Sequence, residues 1–263
     1  MVKQWSWLQT FLTSLILFWN IPAEHLTLKW AIPKQFPYQV FYSIANYSQI
    51  DIQWSPQCSG TIFAKNGIGT AASCLDTKFD LVRIYFGAVN ISNPYEIGQT
   101  HVTLNRSEIG FVRCAHYNPV TLENNIGIII LPYDLEFNEY VQAALLPGKS
   151  DISSYAGQNM IISGWHKSYK NSPDMVLGFV ETHVTKFGKD LSILRYKKDL
   201  ADVANVGSPI VIHNANESQN IAVGMFVTPK AHLKHMKRGF FVNLYQFIKW
   251  IFDVINGKIN AIG

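Results

Sequence analysis

Short stretches of apolar or alternating residues recur along the chain and are separated by Gly, Pro, Asn and Ser. Each stretch has the length of a strand and is bounded by turn-forming residues, which favours β-structure over helix. The stretches are residues 38–44, 60–64, 81–86, 111–115, 126–131, 158–163, 176–185, 209–213, 221–226 and 239–242. No β–α–β alternation accompanies them, so the pattern predicts an all-β barrel or sandwich.

One segment near the C-terminus departs from this pattern. Between residues 244 and 255, apolar residues recur at spacings of three and four, which predicts an amphipathic helix. These residues are Leu244, Phe247, Ile248, Ile251, Phe252 and Ile255. Asn256 and Gly257 favour the left-handed conformation that ends many helices, so we expect the helix to stop there.

The first 23 residues have the features of a secretory signal peptide. Lys3 places a positive charge near the N-terminus, and an apolar stretch follows from Trp7 to Trp19. Ala23 is a small residue suited to cleavage. A membrane anchor is the alternative, but this stretch is about 13 residues long, whereas a membrane span needs roughly 20. We therefore expect a mature domain over residues 24–263 that is secreted and has no membrane attachment.

Secretion permits N-linked glycans and disulfides. Four Asn-x-Ser sequons occur in the chain, and we expect some of them to be glycosylated. Their acceptor residues are Asn46, Asn90, Asn105 and Asn216.

Composition and charge narrow the possible partners. The 263 residues are 48% hydrophobic and carry a net charge of +4, which is too mild to indicate nucleic-acid binding. Residues 230–238 form the densest positive segment, which is either a solvated loop or a surface for an anionic partner, such as an acidic protein or a sulfated glycan. Its basic residues are Lys230, His232, Lys234, His235, Lys237 and Arg238. The two histidines have no nearby Cys, Asp or Glu to complete a metal site, so we predict no metal and no cofactor.

Several short motifs are informative in combination. Residues 204–209 are Ala-Asn-Val-Gly-Ser-Pro, residues 69–74 are Gly-Thr-Ala-Ala-Ser-Cys, and residues 124–126 are Asn-Asn-Ile. A Ser-Gly-Trp sequence lies at 163–165, and the helical segment contains Phe-Ile-Lys-Trp-Ile at 247–251. In their order and spacing these motifs resemble those of trypsin-like serine proteases, from about residue 25 to the C-terminal helix.

The resemblance implies that all three catalytic positions have changed. Val206 stands in the place of the nucleophilic serine, Ser73 in the place of the general base, and Asn125 in the place of the aspartate that orients the base. Acyl transfer in this family needs a nucleophile, a base and an orienting group. The resemblance therefore implies a protein without peptidase activity.

Supporting positions differ from the family pattern as well. Ala204 replaces the glycine of the oxyanion hole, and Asn205 replaces the aspartate that pairs with the new N-terminus after activation. Thr228 replaces an aromatic wall of the substrate pocket, and Pro229 has no N–H to offer a substrate. Residues 25–28, His-Leu-Thr-Leu, do not resemble the Ile-Val-Gly-Gly N-terminus of active members. These differences imply that activation is lost and that the specificity pocket does not form.

The fold implied by the resemblance is two packed six-stranded antiparallel β-barrels followed by a C-terminal helix. It also implies a disulfide between Cys58 and Cys74, which flank the Ser73 motif. Cys114 is left over, either as a buried thiol or in an intermolecular disulfide. Its apolar neighbours favour the buried thiol.

The function implied is that of a secreted, non-catalytic protease homologue that binds another extracellular protein. Proteins similar to this one act as cofactors, decoys or regulators in extracellular networks, including insect immunity and seminal fluid. A purely structural secreted protein is one alternative. A residual hydrolase with a displaced nucleophile is another, for which Ser208, His213 and His116 are the available groups.

Overall fold

The structure of the chain is a computed structural model, and it describes residues 28–48, 51–148, 155, 158–167, 174–186, 188, 191–195, 204–214, 219–228 and 238–259. Within these residues, fourteen strands form two antiparallel sheets. A short helix follows the last strand.

The first sheet is built from the N-terminal half of the chain. Its strands are β2 (Gln39–Ala45), β3 (Ser55–Ala64), β4 (Gly67–Thr70), β5 (Leu81–Phe86), β6 (Thr100–Asn105), β7 (Gly110–Arg113) and β8 (Gly127–Ile130). They lie in the order β6-β5-β2-β3-β4-β8-β7. Two short 3-10 helices, η1 (Ala72–Leu75) and η2 (Arg106–Glu108), connect them. Every residue of β2 is buried, so this strand lies at the centre of the packing.

The second sheet takes its strands from the C-terminal half and from the start of the described chain. They are β1 (Lys29–Trp30), β9 (Asn159–Lys167), β10 (Met175–Lys186), β11 (Leu191–Arg195), β12 (Pro209–Asn214), β13 (Gln219–Phe226) and β14 (Arg238–Asn243). Their order is β1-β10-β11-β14-β13-β12-β9, and β9 also pairs with β10. This extra pairing closes six strands into a barrel, with β1 added to it.

The predicted fold is confirmed, since two curled antiparallel sheets and a C-terminal helix are present. One detail differs, because the first sheet has seven strands where the resemblance implied six. The pattern of apolar residues also missed β1, β4, β6 and β11. Gly67 and Gly69 interrupt the apolar signal of β4, and β6 alternates with exposed polar residues.

The C-terminal helix is confirmed with a change in its first turn. Residues Leu244–Phe247 form a 3-10 helix, η3, and the α-helix α1 covers Ile248–Ile255. Asn243 begins the segment by accepting a hydrogen bond from the Tyr245 N–H. Gly257 has φ +70°, which is the expected left-handed end. In the described part of the chain, no helix has the length and apolar character needed to cross a membrane.

The two sheets share one hydrophobic core. Trp165 of β9 is fully buried and lies 5.6 Å from the ring of Phe41 in β2, while its Nε1 donates to the carbonyl of Val89. Gln39 and Ser163 add two side-chain hydrogen bonds between the sheets. The sheets therefore pack as one body, and the loops at their contact can hold a common site.

Candidate functional site

Ser73 and Asn125 lie side by side in two connections between strands of the first sheet. Ser73 is in η1, and Asn125 precedes β8 and is fully buried. Asn125 Oδ1 accepts a hydrogen bond from the Ser73 backbone N–H at 2.8 Å, and its Nδ2 donates to Ser73 Oγ at 3.2 Å. Asn124 has φ +53°, a left-handed conformation that Asn tolerates well. The resulting turn places Asn125 in the interior next to η1.

This pair has little capacity for proton transfer. A serine hydroxyl and a neutral amide do not take up a proton near neutral pH. Tyr117 is a titratable group that forms a hydrogen bond with Ser73, and burial raises its pKa. The carboxylate of Asp76 raises this pKa further, whereas a hydrogen bond with Ser73 and the charge of Arg113 lower it. The phenol therefore stays protonated at neutral pH and does not act as a base.

Val206 lies in a tight loop before β12. Its carbonyl accepts a hydrogen bond from the Ser59 N–H at 2.9 Å, and its half-buried side chain packs against the core shared by the two sheets. The next residue, Gly207, has φ +86°, and a Cβ there would lie 2.0 Å from the Ser59 carbonyl oxygen. Only glycine fits that position, so the loop keeps a fixed path against β3.

The predicted disulfide between Cys58 and Cys74 is confirmed. Ser59, which follows Cys58, bonds to Val206, and Ser73, which precedes Cys74, bonds to Asn125. The bridge thus helps to bring Ser73, Asn125 and Val206 into one region. Cys114 is buried and unpaired.

Asn205 is tied to the protein through its amide. Its Oδ1 accepts hydrogen bonds from the Trp165 N–H at 2.7 Å and from Ser59 Oγ at 3.3 Å. Its backbone N–H donates to Ser208 Oγ. Ala204, one residue earlier, is fully buried in a hydrophobic cluster of the second sheet. The position that carries a carboxylate in active members of the resembled family here holds a neutral, internally bonded amide.

A line of hydrogen bonds extends from Asn205 into the first sheet. The Ser59 carbonyl accepts from Thr70 Oγ1 at 2.9 Å, and Thr70 Oγ1 lies 3.2 Å from the hydroxyl of Tyr42. Burial raises the pKa of Tyr42 well above its usual range, although the hydrogen bond to Thr70 opposes part of this shift. Tyr42, Thr70 and Ser59 were not predicted as site residues, although Thr70 lies in the motif at 69–74 and Ser59 follows Cys58.

Thr228 is turned into the protein. It is 1% exposed, and its Oγ1 accepts a hydrogen bond from the Phe240 N–H at 2.6 Å. The neighbouring Val227 N–H donates to the Phe240 carbonyl. Thr228 therefore anchors β14 through Phe240. Pro229 lies outside the described residues.

The groups considered for a displaced active centre are separated. Ser208 is fully buried, and its hydroxyl accepts from Asn205 N–H. His213 is exposed at the other end of β12, where Nδ1 lies 3.1 Å from Asn220 Oδ1. His116 is exposed on the loop after β7. Among the contacts of the described chain, none joins a histidine to Ser208.

The remaining predicted residues fall into two groups. Asn46 is exposed and Asn90 and Asn105 are half-buried. The predicted signal peptide, Asn216 and five of the six basic residues lie outside the described residues, whereas Arg238 begins β14. Within the described chain, no group of three His, Cys, Asp or Glu side chains is arranged to hold a metal ion.

Comparison with known proteins adds a family match. The model of the family named Trypsin matches residues 29–251. Chymotrypsin-2 of Vespa crabro is 28% identical over 207 residues, which cover 74% of this chain and 87% of that protein. Chymotrypsin-C of Bos taurus is 27% identical over 154 residues, covering 59% of this chain and 54% of that protein. Mannan-binding lectin serine protease 1 of Rattus norvegicus is 25% identical over 234 residues, which cover 79% of this chain and 32% of that protein. The chain thus spans about half of chymotrypsin-C and a third of the lectin protease.

Proposed function

Because the chain belongs to the trypsin family of serine proteases, we propose that it is a secreted member that does not hydrolyse peptides and acts by binding another protein. The observation that carries this proposal is Val206 in the position of the nucleophile. A valine side chain has no heteroatom that could attack a carbonyl carbon. Here it packs against the core instead.

The contacts of Ser73 and Asn125 support the same proposal. A base must accept the proton of a nucleophile, and an orienting carboxylate must stabilise the base once it is charged. Ser73 and Asn125 instead satisfy each other through two hydrogen bonds between neutral groups. If only one of the two positions carried the residue of an active member, either the base or the orienting carboxylate would still be missing.

The surrounding residues also favour a non-catalytic role. Activation in this family relies on an ion pair, and Asn205 offers a neutral oxygen that already accepts two hydrogen bonds. The buried Ala204 and Thr228 occupy positions that serve the oxyanion and the substrate in active members. Stabilisation of an oxyanion depends on donors held in a fixed geometry, so changes at several supporting positions act together against catalysis.

A residual hydrolase with a displaced nucleophile is the competing proposal. The described contacts disfavour it, because Ser208 is buried and its hydroxyl holds the loop through Asn205. His213 bonds to Asn220 at the far end of the same strand. A hydrolase built from these residues would need a rearrangement of the loop at 204–208.

Secretion is proposed from the first 23 residues and supported by the Cys58–Cys74 bridge, since disulfides form in oxidising compartments. We propose a binding role because the chain retains the fold of the family but lacks the side chains that transfer protons. The partner is proposed to be an extracellular protein, and the basic residues at 230–238 are the candidate contact surface. A purely structural role remains the alternative within the same compartment.

The absence of catalysis is tested with a fluorophosphonate probe, which labels an activated serine. The purified protein, with active trypsin as the matched control, is incubated with the probe and analysed by intact mass. We expect full labelling of trypsin and none of this protein. Stoichiometric labelling, mapped to Ser208 or any other serine, would establish the displaced-nucleophile hydrolase.

The binding role is tested by capture from the extracellular fluid of the tissue that makes the protein. Immobilised protein should retain a defined partner, and the same protein unfolded by reduction and alkylation should not. If the folded protein retains nothing, the structural role becomes the better proposal.

A further inference from the structure

A cavity of about 660 Å³ lies at one end of the first sheet, outside the altered catalytic positions. Its floor is apolar, because Ile44, Ala45 and Phe79 are buried. Its rim is polar, with the exposed side chains of Gln53 and Ser55 among its members. The volume falls within the range of about 300–1,000 Å³ that small-molecule sites occupy. An apolar floor with a polar rim suits a sugar, which presents C–H faces and hydroxyl edges.

One of the residues lining this cavity is Asn46, the acceptor of the first sequon. Asn46 is exposed, and its side chain makes no hydrogen bond with the described residues. The amide of Asn105, by contrast, donates to Glu108 Oε2 at 2.8 Å and accepts a hydrogen bond from the Tyr47 hydroxyl. The Asn90 side chain accepts from the Ser92 N–H within a turn and is half-buried. Of these three sequons, Asn46 accommodates a glycan with the least disturbance of the folded state.

Tyr47 gives the cavity a rigid aromatic wall beside Asn46. Its backbone N–H donates to Asp80 Oδ2 at 2.8 Å, and its hydroxyl donates to Asn105 Oδ1. Tyr47 as a whole is nevertheless 64% exposed. A ring held at both ends and open on a face is preorganised for stacking, because little conformational entropy remains to be lost on contact. A pyranose ring attached at the preceding residue can reach it.

We propose that Asn46 carries an N-linked glycan whose first two N-acetylglucosamine residues lie in this cavity, against Tyr47. The inference rests on the secretion proposed above, because the modification occurs in the secretory pathway. The donor is a lipid-linked oligosaccharide diphosphate. Asn46 Nδ2 forms a bond to C1 of the first sugar, the C1–O bond to the diphosphate breaks, the lipid diphosphate leaves, and the amide gives up one N–H proton.

The test uses the full chain expressed in a eukaryotic secretory cell line, with kifunensine present so that glycans stay in the high-mannose form. Endoglycosidase H cuts between the first two N-acetylglucosamines, and mass spectrometry follows the remaining single-sugar stub at Asn46. We expect release from the native protein to be at least about tenfold slower than from the denatured protein, equivalent to about 1.4 kcal/mol of contact with the cavity.

Two substitutions at one position isolate the role of the ring. Tyr47→Ala keeps the Asn-x-Ser sequon but removes the wall, so release from the native variant should approach the denatured rate. Tyr47→Phe keeps the ring and loses only the hydroxyl bond to Asn105, so slow release should persist. This pattern supports the sugar–ring contact over a general effect of folding.

The outcomes separate the inference from its premise. If other sequons of the secreted protein are occupied and Asn46 is not, the inference fails while secretion stands. Equal release from native and denatured protein places the sugars in solvent and overturns the cavity assignment. A protein that stays in the cells without any glycan removes the premise of secretion and the inference with it.

Discussion

The side chain of Asn125 both accepts a hydrogen bond from the backbone N–H of Ser73 and donates one to its hydroxyl. In an active member of the trypsin family, a carboxylate at this position would face a histidine. The amide and the hydroxyl complement each other, so the changes at the two positions match. This complementarity holds η1 against the turn before β8.

The contacts between Ser73 and Asn125 should stabilise the folded protein. Asn125→Ala leaves the Ser73 N–H without its partner beside a buried site, so we expect a loss of about 1–3 kcal/mol in the free energy of unfolding. Ser73→Ala keeps the bond from the backbone N–H and leaves only Asn125 Nδ2 without its partner, whereas Asn125→Ala removes both bonds, so Ser73→Ala should cost less. Urea unfolding followed by circular dichroism measures both. An Asn125→Ala variant no less stable than Ser73→Ala would contradict the assignment of the backbone bond as the stronger contribution.

Restoring the triad residues alone should not restore an enzyme. The triple variant Ser73→His, Asn125→Asp and Val206→Ser still has Asn205 bonded to Trp165 and Ala204 buried in the second sheet. The N-terminal ion pair of active members also remains absent. We expect turnover of ester and peptide substrates to stay at the background of the wild-type protein. Turnover clearly above that background would show that the supporting positions contribute little to catalysis.

The disulfide should stabilise the region that contains Ser73, Asn125 and Val206. Cys58 and Cys74 are separated by 16 residues in sequence. A bridge closing a loop of this size typically contributes about 2–4 kcal/mol. The double variant Cys58→Ala, Cys74→Ala should lose that amount in chemical unfolding. Cys114→Ala, a change at the unpaired cysteine, is the control and should cost less. Equal losses would mean that cavity formation, rather than the bridge, dominates.

Tyr38 predicts an alkaline limit to stability. Its hydroxyl is buried without a hydrogen-bond partner in the described chain, and burial raises its pKa far above the usual value of about 10. The unfolded chain loses this proton near pH 10 while the folded chain retains it. Stability is therefore complete below pH 10 and falls above it, by about 1.36 kcal/mol per pH unit for each such tyrosine.

Two tyrosine variants distinguish the contributions. Tyr38→Phe removes its share of the alkaline slope and leaves stability at pH 7 unchanged or raised by up to about 1 kcal/mol, because an unpartnered hydroxyl leaves the core. Tyr42→Phe removes a similar share of the slope but loses the hydrogen bond to Thr70, which should cost about 1 kcal/mol at pH 7. Unfolding curves at pH 7 and pH 11 provide the measurement. A destabilising Tyr38→Phe change at pH 7 would indicate an unseen partner for the hydroxyl.

The last prediction addresses the basic segment at 230–238. The variant Lys234→Ser, Lys237→Ser, Arg238→Ser should elute from immobilised heparin at lower salt than the wild type, because clustered charges bind an anionic surface cooperatively and are screened by salt. Lys65→Ser, Lys78→Ser, Lys167→Ser removes the same charge from scattered exposed positions and is the control. Equal shifts in the two variants would reduce the segment to a contribution of net charge.

Periodicity and the family resemblance together predicted most of the fold. Strand β5 was predicted with its observed bounds, and β2, β10, β12 and β14 within one or two residues at either end. The resemblance supplied the Cys58–Cys74 pairing, which the count of three cysteines could not. The glycine-rich strand β4 and the polar strand β6 were not predicted, because their own sequences lack an apolar pattern and neighbouring strands hold them in place.

The sequence predicted which residues lie at the site, but not the hydrogen bonds that they make. Sequence motifs placed Ser73, Asn125 and Val206 in one region, but the reciprocal bonds of the first two depend on the turn at Asn124, which only the folded chain shows. The connection of Asn205 to Trp165 joins residues 40 positions apart and has no local signal. Residues 230–237 of the basic segment and Asn216 lie outside the described residues, and the roles proposed for them stay predictions.

The line of hydrogen bonds from Tyr42 through Thr70 and Ser59 to Asn205 has a consequence for cooperativity. It begins in the first sheet and ends at the Trp165 N–H of the second. Neither half can open at this seam without breaking bonds that belong to the other. We therefore expect the two sheets to unfold as one cooperative unit, with the Trp165 amide exchanging its hydrogen through global unfolding. The loop at 204–208 therefore also holds the two sheets together.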